Sequence, residues 1–507
     1  MAAALAALWS AWAAWPHWLV LLLLLPLGGA VLTPALHALG RRLVPWWSLL
    51  VVSLTSLAVL PLLWRLTHEG PFSYLPGGWA RPYGVELRFD EFGALLVAAV
   101  ALLAPPVLIF SRRYAARAVP AARLPFYYTL LLLNLGGLLG LAVTADLFNL
   151  FVFLEVVSLS AYALVAVGGR PVAELAAFRY LLMGAISSLL ILLAVGVLFA
   201  LTGSLNLADV AQRLPELETP AALTLAAAAL LVGFMLKAAL FPLHNWLPEA
   251  HASAPGTVSA VLSGLVVKAG IIGLVRTYQL FAGVELLDTA TLGAILLWLA
   301  AASVVMGSFF AVFQHDLKLM LAYSTITNIG YIVMGWALAS PQAMLGASLH
   351  LFNHALIKVT LFLAAGALIY GTGLRTLEEL RGIGRTMPFS CAALALAALA
   401  IVGVPPTAGF VGKWYIALGA LQADRPFFAL VVILGALLAA VYYVRIINAL
   451  YFREPEQQAV VTAREVPWSM LAPVLLLTLL CLGVGLLARL PVEMLEPAVA
   501  RLLTGAG

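Results

Sequence analysis

The chain has 507 residues, of which 64% are hydrophobic and only 10% are charged, and its formal net charge is +5. Soluble globular proteins carry charge on roughly a quarter of their residues, so this composition excludes a protein with a mostly water-facing surface. Apolar runs recur along the whole sequence, which a single cleaved signal peptide does not explain. The composition therefore indicates an integral membrane protein whose main solvent is lipid.

Apolar runs long enough to cross a bilayer recur throughout the chain. A helix needs about twenty predominantly apolar residues to span the hydrocarbon core, and lipid requires helices because backbone groups must be hydrogen-bonded within the segment. We predict an all-α, polytopic membrane protein with about fourteen transmembrane helices. In chain order the predicted spans are 17–36, 45–64, 91–110, 125–144, 146–167, 175–201, 221–247, 256–280, 289–312, 319–338, 342–370, 389–421, 427–451 and 468–489.

Three of the predicted spans contain residues that interrupt helices. Pro242 lies in the seventh span, and the pair Pro405 and Pro406 lies in the twelfth. Polar Asn353 and His354 lie in the middle of the eleventh. Each proline is also compatible with an ordinary kink. Broken helices at related positions in two halves of a chain are typical of inverted repeats, whose freed backbone groups line a hydrated cavity.

The distribution of basic residues predicts the orientation. Counted from the N-terminus, the odd-numbered loops carry most of the loop lysines and arginines. Positively charged loops are retained on the cytoplasmic side. We therefore expect the odd loops to be cytoplasmic and both termini to lie outside. The membrane is expected to be the cell membrane of a prokaryote.

Lysine and arginine are used differently in this sequence. The chain has 22 arginines but only five lysines, and Lys318 is the only lysine assigned to a loop. Arginine does not release its proton in a protein, whereas a lysine in a low-dielectric environment can. The segregation predicts that the other four lysines, which lie inside spans, carry protons: Lys237, Lys268, Lys358 and Lys413.

Glu155 is the only one of the 22 acidic residues that falls deep within a predicted span. A charge at the bilayer centre costs about 2.5–3.5 kcal/mol on insertion scales, so a buried carboxylate and a buried amine favour each other as partners. We expect Glu155 to pair with Lys237. The closed pair holds the lysine protonated, and an open pair lets the proton leave. A purely structural ion pair is the alternative.

His350, His354 and Lys358 follow one another at intervals of four residues and so share one helix face. Imidazoles exchange protons near neutral pH, so this face predicts a proton relay. Two hydrogen-bonded core histidines are the alternative. A zinc site is disfavoured because the segment HLFNH lacks the glutamate of the HExxH motif.

Neither a cofactor nor a metal is expected. The sequence has no GxGxxG after a strand and no Walker loop. Cys391 and Cys481 lie in separate apolar runs and form no CxxC pair. The chain is therefore expected to lack a redox or nucleotide-hydrolysing site, and any enzymatic activity would depend on partner chains.

Four further residues are candidates for gating proton uptake. His244, Glu249 and His251 follow the break in the seventh span near the predicted cytoplasmic edge, and they could equally cap helices beside the prolines. Arg179 lies in the sixth span near the same edge. Its side chain could snorkel to the interface or tune a neighbouring charge.

Several long segments resemble one protein family. In chain order they are FNLFVFLEVVSLSAYALVA, LKAALFPLHNWLPEAHASAPGTVSAVLSGLVVKAGIIGL, LAYSTITNIGYI, FNHALIKVTLFLAAGALIY and VPPTAGFVGKWYIALGA. They are similar to the antiporter-like membrane subunits shared by Mrp-type monovalent cation/proton antiporters, respiratory complex I and membrane-bound hydrogenases. The resemblance covers roughly residues 85–450.

The resemblance implies two inverted repeats of five helices, spans four to eight and nine to thirteen. The implied regions are helices 1–3 in 1–124, the two repeats in 125–280 and 281–451, and the last helix in 452–507. It also implies a row of charged residues in the membrane plane. Taken as a first pair, a bridge, a central relay and a terminal lysine, the row comprises Glu155 and Lys237; Lys268; His350, His354 and Lys358; and Lys413.

Within this family, the segment GVPPTAGFVGKWY and the overall length are most similar to the D-type subunit of the Mrp antiporters and its hydrogenase relatives. Lys413 stands where the M-type complex I subunit usually carries a glutamate. The resemblance implies a proton-translocating subunit of a Na⁺/proton antiporter, with other hydrophobic membrane subunits as partners and protons and Na⁺ or another monovalent cation as ions. The alternative is a proton-pumping subunit of a complex I-type NADH–quinone oxidoreductase or a membrane-bound hydrogenase.

Two unrelated classes of membrane protein fit the sequence less well. A single-chain solute transporter would show a polar binding cavity instead of a lysine row, and a structural scaffold would not place titratable groups at mid-membrane.

Overall fold

The computed structural model describes residues 12–281, 284 and 289–503, which are almost entirely helical. The predicted regions at the two ends of the chain, and the start of the second predicted repeat, extend in part beyond these residues. Within the described ranges, thirteen helices are long and apolar enough to cross a membrane, which confirms a polytopic all-α fold. The remaining predicted span, 389–421, consists of two shorter helices.

We number the helices so that the two parts of a broken span share a number. They are α1 Trp18–Leu39, α2 Leu43–Glu69, α3 Glu91–Ala118, α4 Leu124–Val143, α5 Leu147–Ala166, α6 Pro171–Thr202, α7a Pro220–Lys237, α7b Trp246–Ser253, α8 Gly256–Phe281, α9 Thr289–Val312, α10 Leu317–Ala337, α11 Pro341–Thr372, α12a Pro388–Val402, α12b Ala408–Gln422, α13 Pro426–Tyr451, α14 Trp468–Leu486 and α15 Arg489–Leu503.

Some elements were not anticipated from the sequence. Strands β1 (Phe72–Tyr74) and β2 (Leu87–Phe89) pair antiparallel between α2 and α3. Short helices Leu207–Arg213 and Gln458–Val461 lie in loops, and α15 follows the last span. These elements are too short or too polar to produce a transmembrane hydropathy signal.

The seventh and twelfth spans are broken near their prolines, as predicted. The first half of the seventh span ends at Lys237, and its continuation begins at Trp246. The first half of the twelfth ends at Val402, and its continuation begins at Ala408. Each break leaves carbonyl groups at the end of the first half-helix without intrahelical partners.

The third predicted interruption is wrong, because α11 is continuous through Asn353 and His354. Neither residue removes a backbone donor as proline does, and both side chains find partners outside the helix. The Asn353 amide donates to Ala408 O at 2.8 Å, and His354 Nδ1 lies 2.7 Å from Lys268 Nζ. The irregular helix is instead α8, where Leu262–Val266 forms a π-helical turn.

Two stretches of the chain repeat each other at a spacing of 170 residues. α6 and α11 both have 32 residues, begin with proline and end at a left-handed glycine, Gly203 or Gly373. Asp146 and Asp316 cap α5 and α10 through the backbone N–H three residues further on. Each aspartate also forms a β-bridge with the loop that follows α6 or α11. This regularity supports equivalent positions for the two helix pairs in the two predicted repeats.

α8, α10 and α11 form the centre of the protein. The most apolar stretch of α8 is completely buried, and those of α10 and α11 are 89% and 78% buried. α1 and α6 instead expose many large apolar side chains, as a lipid-facing helix does. The helices that carry most of the proposed row therefore lie in the protein interior.

Candidate functional site

The first cluster of the candidate site surrounds Lys237, the last residue of α7a. Its ammonium group donates to Ser158 Oγ at 2.7 Å, to Ser188 Oγ at 3.0 Å and to Tyr162 Oη at 3.3 Å. The Glu155 carboxylate lies 3.4 Å away. The structure thus brings the predicted pair together and surrounds the amine with three hydroxyl groups.

Ser188 links the two charged members of this pair. Its hydroxyl donates to Glu155 Oε1 and also accepts from Lys237 Nζ. The side chain of Glu155 is 27% exposed, whereas that of Lys237 is 5% exposed. The carboxylate therefore stands between the outer surface of the subunit and the buried amine, with a hydroxyl as the connecting group.

Lys268 forms the second cluster, directly after the π-helical turn of α8. In that turn the Val267 N–H donates to Leu262 O, five residues back, and not to Ser263 O. Lys268 Nζ donates to this Ser263 carbonyl at 2.7 Å and lies 2.7 Å from His354 Nδ1 on α11. The π turn thus provides a carbonyl that helps to hold the amine against an imidazole, as such turns often do at functional sites.

His350 lies one turn before His354, and the two ring centroids are 6.1 Å apart. His350 Nε2 lies 2.9 Å from Asn328 Oδ1, while the amide nitrogen of Asn328 donates to Ser324 O. This network assigns the donor role to His350 Nε2, and its Nδ1 is then an acceptor. Within the described residues, His350 Nδ1 and His354 Nε2 have no protein hydrogen-bond partner.

Lys358 does not bond to either histidine, although it lies on the same face of α11. Its ammonium group donates to Leu321 O and to Ser324 Oγ on α10, both at 2.8 Å. Ser324 Oγ in turn lies 2.9 Å from Tyr443 Oη on α13. The amine therefore connects the relay face to α10 and α13.

Lys413 ends the row on α12b. Its ammonium group donates to Ile401 O at 2.7 Å and to Val402 O at 3.2 Å, two carbonyls freed at the end of α12a. The same group lies 4.6 Å from the ring centroid of Tyr331, which packs edge-to-face on His350 at 5.9 Å. The break in the twelfth span thus holds the amine, and Tyr331 connects it to the histidines.

The candidate gating residues occupy two different environments. Arg179 donates twice to the Glu249 carboxylate, at 2.5 and 2.7 Å, and both side chains are exposed. His244 is buried and stacks on Phe241. His251 is completely buried in the protein.

Sequence reasoning missed three hydroxyl groups and one lysine. Ser158 and Tyr162 follow Glu155 at helical spacing, a signal that could have found them, whereas Ser188 lies on another helix. Lys318, assigned to a loop, is only 4% exposed in the first turn of α10. That assignment is wrong because the Asp316 cap starts the helix earlier than the predicted span.

Comparison with known proteins identifies one family. The family described as "NADH:quinone oxidoreductase/Mrp antiporter, TM" matches residues 144–439 of this chain, and this range includes the whole row. The N-type subunit of the NADH-quinone oxidoreductase of Desulforudis audaxviator is 38% identical over 483 residues, 92% of this chain and 95% of the relative. The D-type subunit of the Na(+)/H(+) antiporter of Bacillus subtilis is 32% identical over 381 residues, 75% of this chain and 76% of the relative.

Two solved membrane complexes contain a chain of the same fold. A chain of the membrane-bound sulfane sulfur reductase, an archaeal respiratory membrane complex, has a TM-score of 0.89 at 29% identity and covers 96% of this chain and 99% of its own length. A chain of the Mrp complex from Dietzia sp. DQ12-45-1b has a TM-score of 0.87 at 26% identity, with 96% and 97% covered. The present chain is a multi-pass membrane protein that belongs to the NADH:quinone oxidoreductase/Mrp antiporter family of transmembrane subunits.

Proposed function

We propose that the chain is the proton-translocating component, similar to the Mrp D-type subunit, of a multisubunit Na⁺/proton antiporter in the cell membrane of a prokaryote, with both termini outside. One observation carries the proposal. A row of buried amines and imidazoles crosses the central helices, and Glu155 is the only carboxylate paired with these amines in the described ranges. The Na(+)/H(+) antiporter relative from Bacillus subtilis and the Mrp complex structure support it.

The unpaired amines are suited to a change of protonation state. Lys268, Lys358 and Lys413 have no carboxylate within salt-bridge distance among the described residues, and carbonyl or hydroxyl groups accept from each. A permanently charged ammonium ion without a counter-ion costs several kcal/mol in a low-dielectric interior. A neutral amine keeps the same hydrogen bonds without this cost. Each amine can therefore bind a proton briefly and pass it on.

The contacts suggest the order of the steps. A proton held on Lys237 is released when its contact with Glu155 opens, because the amine then loses its counter-charge. Lys268 passes a proton to His354 across 2.7 Å. The relay continues to His350 and, beside Tyr331, to Lys413.

Proton uptake and cation movement involve the surroundings of the row. We assign control of proton uptake to the exposed ion pair of Arg179 and Glu249, on α6 and α7b, and to the buried His244 and His251 of the same segment as Glu249. The cation path is assigned to the partner subunits of the complex. The chain itself supplies the proton half of the exchange.

Ser188→Ala tests the hydroxyl that joins the first pair. A hydrogen bond to a charged group contributes about 1.5–3 kcal/mol, so we expect proton flux to fall roughly tenfold or more. The matched control is Ser187→Ala, since Ser187 is also buried on α6 but donates to Gly233 O at 2.7 Å. Flux is measured in proteoliposomes at equal subunit content. Equal flux in the two variants would remove Ser188 from the link between Glu155 and Lys237.

Purification of the native complex tests the function as a whole. We expect copurification of other small hydrophobic subunits and, after reconstitution, a pH change driven by an imposed Na⁺ gradient alone. Flux that requires an electron donor, together with copurified nickel or iron–sulfur subunits, would contradict the antiporter assignment. It would favour the second candidate, a membrane subunit of a redox-driven proton pump, for which the 38% identity to the NADH-quinone oxidoreductase relative is the specific support.

A further inference from the structure

Lys318 is a fifth buried amine, and the proposed row does not use it. It lies in the first turn of α10 and is 4% exposed. Its ammonium group donates to Ala254 O, in the connection from α7b to α8, and lies 3.5 Å from Ala252 O, in the last turn of α7b. The neighbouring carboxylate of Asp316 is paired with Arg375 at 3.0 Å. Lys318 thus resembles Lys413 in being held by backbone carbonyls.

His251 lies in the same segment as the carbonyls that bond Lys318. The ring is completely buried, and within the described residues neither ring nitrogen forms a hydrogen bond of good geometry, although the backbone of Ser259 lies beside the ring. It stacks on Phe362, with centroids 5.1 Å apart and planes 19° apart. Burying polar nitrogen atoms without partners costs free energy that a purely apolar ring would avoid. This arrangement favours a chemical role for the imidazole.

The position of Phe362 connects His251 to the relay face. Phe362 follows Lys358 by four residues, the spacing that already joins His350, His354 and Lys358, so it continues the same face of α11. On its other side, His251 directly precedes Ala252 in the chain, and Lys318 contacts the carbonyls of Ala252 and Ala254. His251 therefore lies between the segment that bonds Lys318 and the helix face that carries Lys358.

We propose that Lys318 and His251 form a second protonatable branch of the row. The branch joins the row to the N-terminal end of α10, on the side of the membrane where the odd-numbered loops lie. The inference rests on the proposed proton-translocating function. A proton taken up by Lys318 leaves its Nζ and forms an N–H bond on a ring nitrogen of His251. It then leaves the ring for a neutral amine at Lys358, and Lys318 regains a proton from the side of Asp316.

A structural role for Lys318 makes a different prediction from the proposed branch. If the side chain only anchors the segment before α8, arginine and glutamine keep N–H donors for the two carbonyls and should preserve transport. If Lys318 must release a proton, Lys318→Arg and Lys318→Gln both fail, since neither side chain can do so near neutral pH. We expect each variant to reduce proton flux by about tenfold or more in the whole, assembled complex.

His251→Phe provides an independent test, because phenylalanine keeps the stacking on Phe362 and removes only the nitrogen atoms. Arg445→Gln is the control for loop anchoring. Arg445 likewise donates to backbone carbonyls beside the start of α10, that of Val312 at the end of α9 and that of Gln314 in the following loop. Its loss should leave flux per assembled complex unchanged. Assembly of all variants is measured by copurification of the partner subunits.

The outcomes separate the branch from the proposed function. Wild-type flux in Lys318→Arg or His251→Phe, with Lys237→Ala inactive, would overturn the branch and leave the proposed function intact. An equal loss in Arg445→Gln would assign the effect to loop anchoring and also overturn the branch. Retained flux in Lys237→Ala would overturn both. Loss in the three branch variants, with the Arg445 control active, supports the branch.

Discussion

Replacing Lys237 by alanine is expected to reduce proton flux by about 100-fold or more while the complex still assembles. The side chain is the centre of the first cluster, where it contacts Glu155 and three hydroxyl groups. Its removal takes away the only amine that bonds this carboxylate in the described residues. Glu155→Gln is expected to fail similarly, because it removes the counter-charge that holds the proton. Flux in proteoliposomes is measured against copurified partner subunits.

The double variant Glu155→Gln with Lys237→Met distinguishes transport from stability. Removing one member of a buried pair typically costs about 3–5 kcal/mol, whereas replacing both by neutral groups is often close to neutral in stability. If the pair is only structural, the double variant should recover the thermal stability that each single variant loses, and transport with it. We expect it to recover this stability and to remain inactive in transport. Recovery of flux would show that protons do not pass through this pair.

Lys413→Arg is expected to be nearly as inactive as Lys413→Ala. Arginine keeps a positive charge and can still donate to the Ile401 and Val402 carbonyls, but it does not release a proton. The expected loss is again about 100-fold, as for removal of an obligatory carrier. Flux is compared at equal assembly.

Lys413→Gln controls for the larger volume of arginine, because glutamine is shorter than lysine, keeps an N–H donor and carries no charge. We expect both variants to assemble and both to fail. Full flux in Lys413→Arg would mean that the end of the row requires only a fixed charge. Full flux in Lys413→Gln would mean that it requires only a hydrogen-bond donor.

The fold was predictable because its strongest determinant is local. Lipid requires each backbone group to be bonded within its own helix, so hydropathy alone locates the spans. Proline removes a backbone donor, and the prolines near Lys237 and Lys413 located the breaks after Lys237 and after Val402. Proline alone does not break a span, since α3 continues through Pro105 and Pro106. The same logic failed at Asn353, where the polar side chain bonds to a neighbouring helix and leaves α11 continuous.

The part of the site that was predictable is the ion pair, because the sequence shows how many acidic and basic residues lie within the spans. One deep acid among several buried lysines leaves few choices, so the pairing of Glu155 with Lys237 followed from the sequence. The contact of Lys268 with His354 did not, because it depends on a π-helical turn that no residue pattern marks. The burial of Lys318 depends on packing against a distant segment at Ala254, and hydropathy at a helix end does not report such contacts.

Amines in the protein interior are proposed to bind and release protons during transport, and their charge can be measured directly. The chain has only five lysines, so their amines can be followed individually by NMR after nitrogen-15 labelling of lysine in the reconstituted complex. Difference spectra against Lys413→Arg and Lys268→Arg assign the signal of each amine and report its charge. We predict a neutral-amine signal, at a pH where transport runs, that disappears in the matching variant. Signals from all membrane lysines that remain those of ammonium ions across the whole pH range of transport would contradict proton transfer through these amines.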